Sequence, residues 1–219
     1  MLKRIFILFT LTVGITEIGI GQIPTLDKSK LRVGDMLFQD LGNSSLSKSI
    51  KKVTPGYDGK HFSHVAMMTL YNRQLWVIEA CDATVDTITI DSFISRTKNP
   101  VYVGRLKKEY GREISDASKS VKKYFGIPYD NKYLDDSAHI YCAELVYYAY
   151  KDANHGKPFF EMQPMTFKDP KSKKTFPGWS KYYQDYFQME VPEGQPGINP
   201  GLLINDPRME VYKLPKGKK

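Results

Sequence analysis

Three residues in this chain have the types and context for nucleophilic chemistry: His64 in HFSHVAMM, Glu79 in LWVIEAC and Cys142 in IYCAELVYYAY. A thiol, an imidazole and a carboxylate are the parts of a nucleophile, its base and the group that orients the base. A neutral imidazole has one donor and one acceptor nitrogen, so a carboxylate on the donor side fixes the tautomer and leaves the other nitrogen for a thiol. Glu79 is expected to be that carboxylate, His64 the base and Cys142 the nucleophile. The reaction such a set performs is attack on a carbonyl carbon through a covalent acyl-enzyme.

The elements that would position these groups are legible in outline. LRVGDMLFQD reads as a first strand entered through a Gly34-Asp35 bend, HFSHVAMMTL and QLWVIEAC as two strands joined by a polar turn, and TVDTITIDSF and VYVGRLK as two more. A helix is expected from about Ser115, as its cap, to Phe125, stopped by Gly126 and Pro128. A second helix opens near Cys142, with Leu145, Val146, Ala149 and Ala153 at helical spacing and Asn154 and Gly156 closing it. The remainder predicts a short helix in GWSKYYQDYFQ and a last strand in RMEVYKL. A core helix packed on an antiparallel sheet is an α+β domain.

The hairpin carrying His64 and Glu79 sets a geometric condition. A loop over Tyr71 to Gln74 pairs Leu70 with Leu75, and the same register puts His64 opposite Cys81 and Glu79 opposite Ala66. His64 and Glu79 are then diagonal neighbours on one face, the more apolar one, with Ala66, Met68, Leu70, Leu75 and Val77. A two-residue loop keeps this register, whereas an odd loop would separate the two groups. A helix start at Cys142 would favour the thiolate through the amide dipole, and its backbone amides would face an oxyanion.

Each residue also has a structural explanation. His64 alone could be a satisfied strand histidine, and Cys142 a small core residue. Cys81 competes for the nucleophile role from its place opposite His64, but it lacks a helix N-terminus and reads as a packing residue or a disulfide partner of Cys142. His61 and His139 share no ligand-like spacing with His64, so no metal site and no cofactor are expected.

The 219 residues carry a net charge of +8, with Lys and Arg scattered except in the tail PKGKK. Residues 1–21 read as a secretory signal: Lys3 and Arg4, an apolar run from Ile5 to Val13, then Gly19 and Gly21. That apolar run is too short for a membrane span, and no cysteine at its end supports lipid attachment. Residues 22–219 are then expected to form a single exported domain, periplasmic or secreted, whose positive charge suits solubility or contact with an anionic cell-envelope surface. An export signal argues against nucleic acid as a partner.

The succession RVGDMLF, FSHVAMM, VIEA, GIPYDNKY and IYCAELVYYAY resembles the YiiX-like branch of the NlpC-type cysteine peptidase superfamily over about Leu31 to Ala153. That branch is circularly permuted, with the sheet preceding the nucleophile's helix. The resemblance implies a papain-like α+β core, an antiparallel sheet or partial barrel packed on that helix, and the roles of Cys142, His64 and Glu79 as above. It also matches Tyr129 and Tyr141 to aromatic positions that could line a substrate groove, and Gly34 and Asp35 to a structural turn. Superfamily relatives cleave amides in cell-wall peptides, while permuted relatives include enzymes acting on lipids. The leading expectation is an exported thiol hydrolase of amide bonds in short peptides. The alternatives are a hydrolase or acyltransferase acting on a lipid ester or N-acyl amide, and a silent binding module held by a Cys81–Cys142 disulfide.

Overall fold

The computed structural model describes residues 23–214 apart from Asn43 and Ser137, so the expected export signal and the basic tail lie outside the described residues. Strands β1 (Met36–Gln39), β2 (His64–Tyr71), β3 (Gln74–Cys81), β4 (Thr84–Ile88), β5 (Val101–Leu106) and β8 (Met209–Leu214) form one sheet in the order β4-β3-β2-β1-β5-β8. Every neighbouring pair in it is antiparallel. Strands β6 (Gln163–Pro164) and β7 (Pro196–Gly197) pair separately. The helices are α1 (Ser45–Val53), α2 (Ile90–Ser95), α3 (Gly111–Ser120), α4 (Cys142–Ala153), α5 (Pro177–Phe187) and α6 (Pro200–Ile204).

The β2–β3 loop is two residues long, Asn72 and Arg73, both left-handed at φ 48° and 64°, as a tight hairpin turn with the sheet's own twist requires. Leu70 pairs with Leu75 and Met67 with Ile78, the expected register. The two faces divide the core. Val65, Met67, Ile78 and Ala80 join the larger cluster with α4, whereas Ala66, Met68 and Val77 join a smaller one with Leu37, Phe93 and Val103. The His64 face is therefore the smaller core, and it runs out to solvent at Leu70 and Leu75 by the hairpin tip.

Helix α4 starts at Cys142 as expected, although no side-chain hydroxyl caps it; Glu144 reaches back to accept from the Tyr141 backbone N–H at 3.3 Å. Packing supplies the rest. Leu145, Val146, Ala149 and Tyr150 are all fully buried. Burying each large apolar side chain contributes about 1.5–3 kcal/mol, so a helix slipped by one residue would forfeit more than a missing cap costs.

Three elements differ from expectation. TVDTITIDSF is not one strand: β4 ends at Ile88, and Thr89 accepts a hydrogen bond from the Ser92 N–H at 3.1 Å to start α2. Local capping there outweighs the alternating pattern. Helix α3 begins at Gly111, out of a 3₁₀ turn at Lys108–Tyr110, so Ser115 lies inside it, and Val121–Tyr124 continues as a 3₁₀ turn. Helix α1 was not anticipated; Ser44 accepts from the Ser47 N–H at 3.1 Å, and Trp179 of α5 donates to the Ser49 carbonyl at 3.1 Å. The Gly34 bend is structural as read. Gly34 sits at φ +82°, where a Cβ would meet Ile114 Cγ2 at 2.4 Å, and Asp35 receives both arms of Arg105 at 2.7 Å.

Candidate active site

His64 opens β2 and Glu79 lies near the end of β3, each with 3% of its surface exposed. His64 Nε2 is 2.7 Å from Glu79 Oε2, so the other ring nitrogen, Nδ1, is left for a further partner. The ring packs against Phe93 of α2 at 5.9 Å between centroids. Gln39, paired with His64 across β1 and β2, donates to the Phe93 carbonyl at 2.5 Å and so ties α2 to β1.

The carboxylate has a second holder. Arg96, just beyond α2, donates to Glu79 Oε1 at 2.6 Å and reaches Cys81 Sγ at 3.7 Å. Burial opposes ionisation of Glu79, but the His64 hydrogen bond and the charges of His64 and Arg96 outweigh it and hold the carboxyl below its usual range. Burial likewise disfavours a charged His64; the nearby Cys142 sulfur and the Glu79 carboxylate overcome it and raise the imidazole to about 9. Cys142, buried at the first residue of α4, lies near enough to His64 to favour the charged ring. Its backbone N–H belongs to the first helical turn, which has no intrahelical acceptor.

Cys81 is a free thiol, as is Cys142, so the two form no disulfide. Burial first, then the charges of Glu79 and Asp82, push Cys81 up to about 12, which leaves it protonated at neutral pH. The donor atoms of His64, Glu79 and Cys81 lie within 4.8 Å of one another. His61 and His139 are elsewhere: His61 lines a separate surface cleft, and His139 is paired with Asp136 at 3.0 Å.

Beside Cys142 opens a cavity of about 240 Å³. Tyr129 and Tyr141 both line it, together with apolar groups such as Ile50, Val53, Met165 and Leu202, and none of its lining residues carries a charge. The segment between Lys157 and Ser180 contributes residues 163–167 and Trp179. The Tyr141 hydroxyl is occupied, accepting from the Ile198 N–H at 3.0 Å and donating to the Ile198 carbonyl at 2.9 Å. Arg96 and Phe93 escaped the sequence reading because no spacing ties them to the hairpin; only α2 packing beside β3 does so, while Gln39 comes in through the pairing of β1 with β2. A cap signal at Thr89 was the available clue.

A papain-like core with the sheet ahead of the helix that bears a cysteine defines the class, a permuted papain-like hydrolase. The chain belongs to the C92 family of permuted papain-like amidase enzymes, YaeF/YiiX, which it matches over residues 30–212. It is 30% identical over 125 residues to the uncharacterized protein YiiX of Escherichia coli (strain K12), a stretch covering 56% of this chain and 58% of that protein. The chain thus matches little more than half the length of that relative. Among solved structures it is similar in fold to a protein described as metalloprotein yiiX from Escherichia coli O157:H7, with a TM-score of 0.66, 23% identity, and 90% of this chain and 100% of that chain covered.

Proposed function

We propose that the chain is a thiol amidase in which the Cys142 sulfur attacks a substrate amide carbonyl. His64 takes the proton from the Cys142 thiol, and the S–C bond forms as the carbonyl electrons move to oxygen, where the Cys142 backbone N–H donates. Collapse of that oxyanion breaks the C–N bond, and the His64 imidazolium gives its proton to the leaving amine. Neutral His64 then takes a proton from water, which attacks the thioester, releases the acid and restores the thiol. Glu79 holds Nε2 throughout and stabilises the imidazolium. The observation that carries this reading is the buried His64–Glu79 pair at 2.7 Å together with Cys142, which starts α4 and lines the cavity.

The uncharged cavity favours an apolar group on the substrate. A cell-wall peptide rich in carboxylates would find no cation there, whereas an N-acyl amide would bury its chain against Ile50, Val53 and Met165. This supports the lipid-like reading of the acyl group over the short-peptide one. Residues 1–21 support export, and with it action in the cell envelope.

The structural neighbour is called a metalloprotein, and in this chain the cluster with the donor types of a cation site is His64, Glu79 and Cys81. It does not fit one: Arg96 donates to both Glu79 and Cys81, and His64 Nε2 is engaged with Glu79. No step passes through a metal.

The test is amine release from medium-chain N-acyl amino acids against defined muropeptides, with Cys142→Ala as control. Turnover of the N-acyl compounds that Cys142→Ala abolishes is expected. Turnover of muropeptides alone would reject the apolar-acyl reading, and turnover that survives Cys142→Ala would reject the thiol mechanism.

A further inference from the structure

The apolar cavity beside Cys142 is walled by two segments that also carry exposed lysines. Ile50 and Val53 of α1 line it, and Lys48 and Lys52 of the same helix are exposed. Met165 and Phe167 line it from the second segment, which then turns through a tight loop, Lys168–Thr175, with Lys171, Lys173 and Lys174 exposed. The segments meet where the Lys52 ammonium stands 5.0 Å from the centroid of the Phe176 ring and Trp179 donates to the Ser49 carbonyl. A neighbouring cleft adds Lys60 and His61 beside Lys51 and Lys52.

Most of these lysines are not held in ion pairs. Among the described residues Lys51 is paired with Asp40 and Lys168 with Glu193, whereas Lys48, Lys52, Lys60, Lys171, Lys173 and Lys174 form no such pair. The carboxylates left on the same segments are Asp58 and Asp169, and Asp169 is turned into its own loop, accepting from the Lys171 and Ser172 N–H groups at 2.9 and 2.7 Å. That loop is fixed in shape: the Asp169 N–H donates to the Lys174 carbonyl and the Lys173 N–H to the Asp169 carbonyl, each at 2.9 Å. Elsewhere lysines alternate with acids, as Lys119 does with Asp116 and Lys181 with Asp185. Unpaired like charges gathered on one face repel one another, and an anionic partner relieves that repulsion.

We infer that this face, the lysines of α1 with Lys60 and the Lys168–Thr175 loop, docks on an anionic lipid bilayer and holds the cavity against it. A soluble polyanion would satisfy the lysines but has nothing for the apolar cavity between them. A bilayer supplies phosphate groups to the rim and acyl chains to the cavity. The exposed apolar side chains Leu70, Tyr71 and Leu75 lie at the hairpin tip, at the far end of β2 from His64, so attachment there would leave the site away from the surface. The choice of partner rests on the apolar-acyl reading, and the test measures binding without turnover.

The test is co-sedimentation of the chain from residue 22, which contains every described residue and lacks the apolar leader, with vesicles of phosphatidylglycerol and phosphatidylcholine or of phosphatidylcholine alone. At about 0.1 M salt, where charge acts over about 10 Å, wild type is expected on the anionic vesicles and not on the neutral ones, and about 1 M salt should release it. Combining Lys48→Glu, Lys52→Glu and Lys174→Glu should weaken binding about a hundredfold or more, at about fivefold per lysine. The same charge change by Lys107→Glu, Lys108→Glu and Lys157→Glu, exposed on other segments, should weaken it less than about tenfold. No binding to anionic vesicles, equal binding to neutral ones, or equal weakening by the two triple variants would overturn the inference. Binding to soluble dextran sulfate but not to anionic vesicles would overturn it in favour of an anionic polymer. Cys142→Ala is expected to bind like wild type; vesicle binding by a protein that releases no amine from N-acyl compounds would count against the amidase reading and leave the docking in place.

Discussion

Arg96 Nη1 lies 2.6 Å from Oε1 of Glu79, on the carboxylate oxygen that His64 leaves free. Glu79 is therefore gripped from both sides, which fixes its plane and thereby the ring of His64. Arg96→Gln is expected to lower kcat/KM by about tenfold or more through kcat with KM little changed, as loss of an outer support does. Arg96→Lys, which restores the charge without the planar fork, should recover part of that loss. Steady-state kinetics of both variants decide this, and an unchanged kcat in Arg96→Gln would remove Arg96 from the account.

The imidazole of His64, raised to about 9 by Cys142 and Glu79 against its burial, stays protonated across neutral pH. Activity should decline on the alkaline side with an apparent pKa near 9 that belongs to the coupled pair. Glu79→Gln removes a partner that favours the charged ring, so the alkaline limb should move to lower pH and kcat/KM fall by about 10² or more. The same shift bears on stability: the contribution of charged His64 is complete below pH 6.5 and is lost as pH rises through about 9. A pH–rate profile of wild type and variant checks the direction, and a limb that moves upward would contradict it.

Glu144, 1% exposed one helical turn into α4, is raised to about 9, chiefly by burial and then by Asp130, Asp135 and Asp136, against its bond to the Tyr141 backbone. A carboxyl raised on folding favours the folded state at low pH and loses that advantage as pH climbs from 4.5 through about 9. Wild type should therefore lose thermal stability between pH 5 and 9, and Glu144→Gln should flatten that slope by roughly 1 kcal/mol or more. Tm measured across that range tests it; parallel slopes in the two proteins would refute the assignment.

What the chain discloses without coordinates follows from what is local. The hairpin register depended only on the parity of the loop at Asn72 and Arg73, and the start of α4 on the spacing of Leu145, Val146 and Ala149, so the His64–Glu79 contact and the place of Cys142 at a helix start were readable. Helix α2 was not, because Thr89 and Ser92 sit inside an alternating run that reads as strand. With α2 went Phe93 and Arg96, which approach the site only through the packing of that helix against β3. The face carrying His64 looked the more apolar, yet the larger core lies on the other face, where α4 supplies most of the apolar side chains.

Two thiols lie near His64, and which one becomes acylated tests the central claim most directly. The protein is mixed with a 4-nitrophenyl ester, quenched in acid within seconds, digested and examined by mass spectrometry. The acyl group is predicted on the peptide containing Cys142, retained in Cys81→Ala and absent in Cys142→Ala. An acyl group on Cys81, or one that persists in Cys142→Ala, would contradict the account.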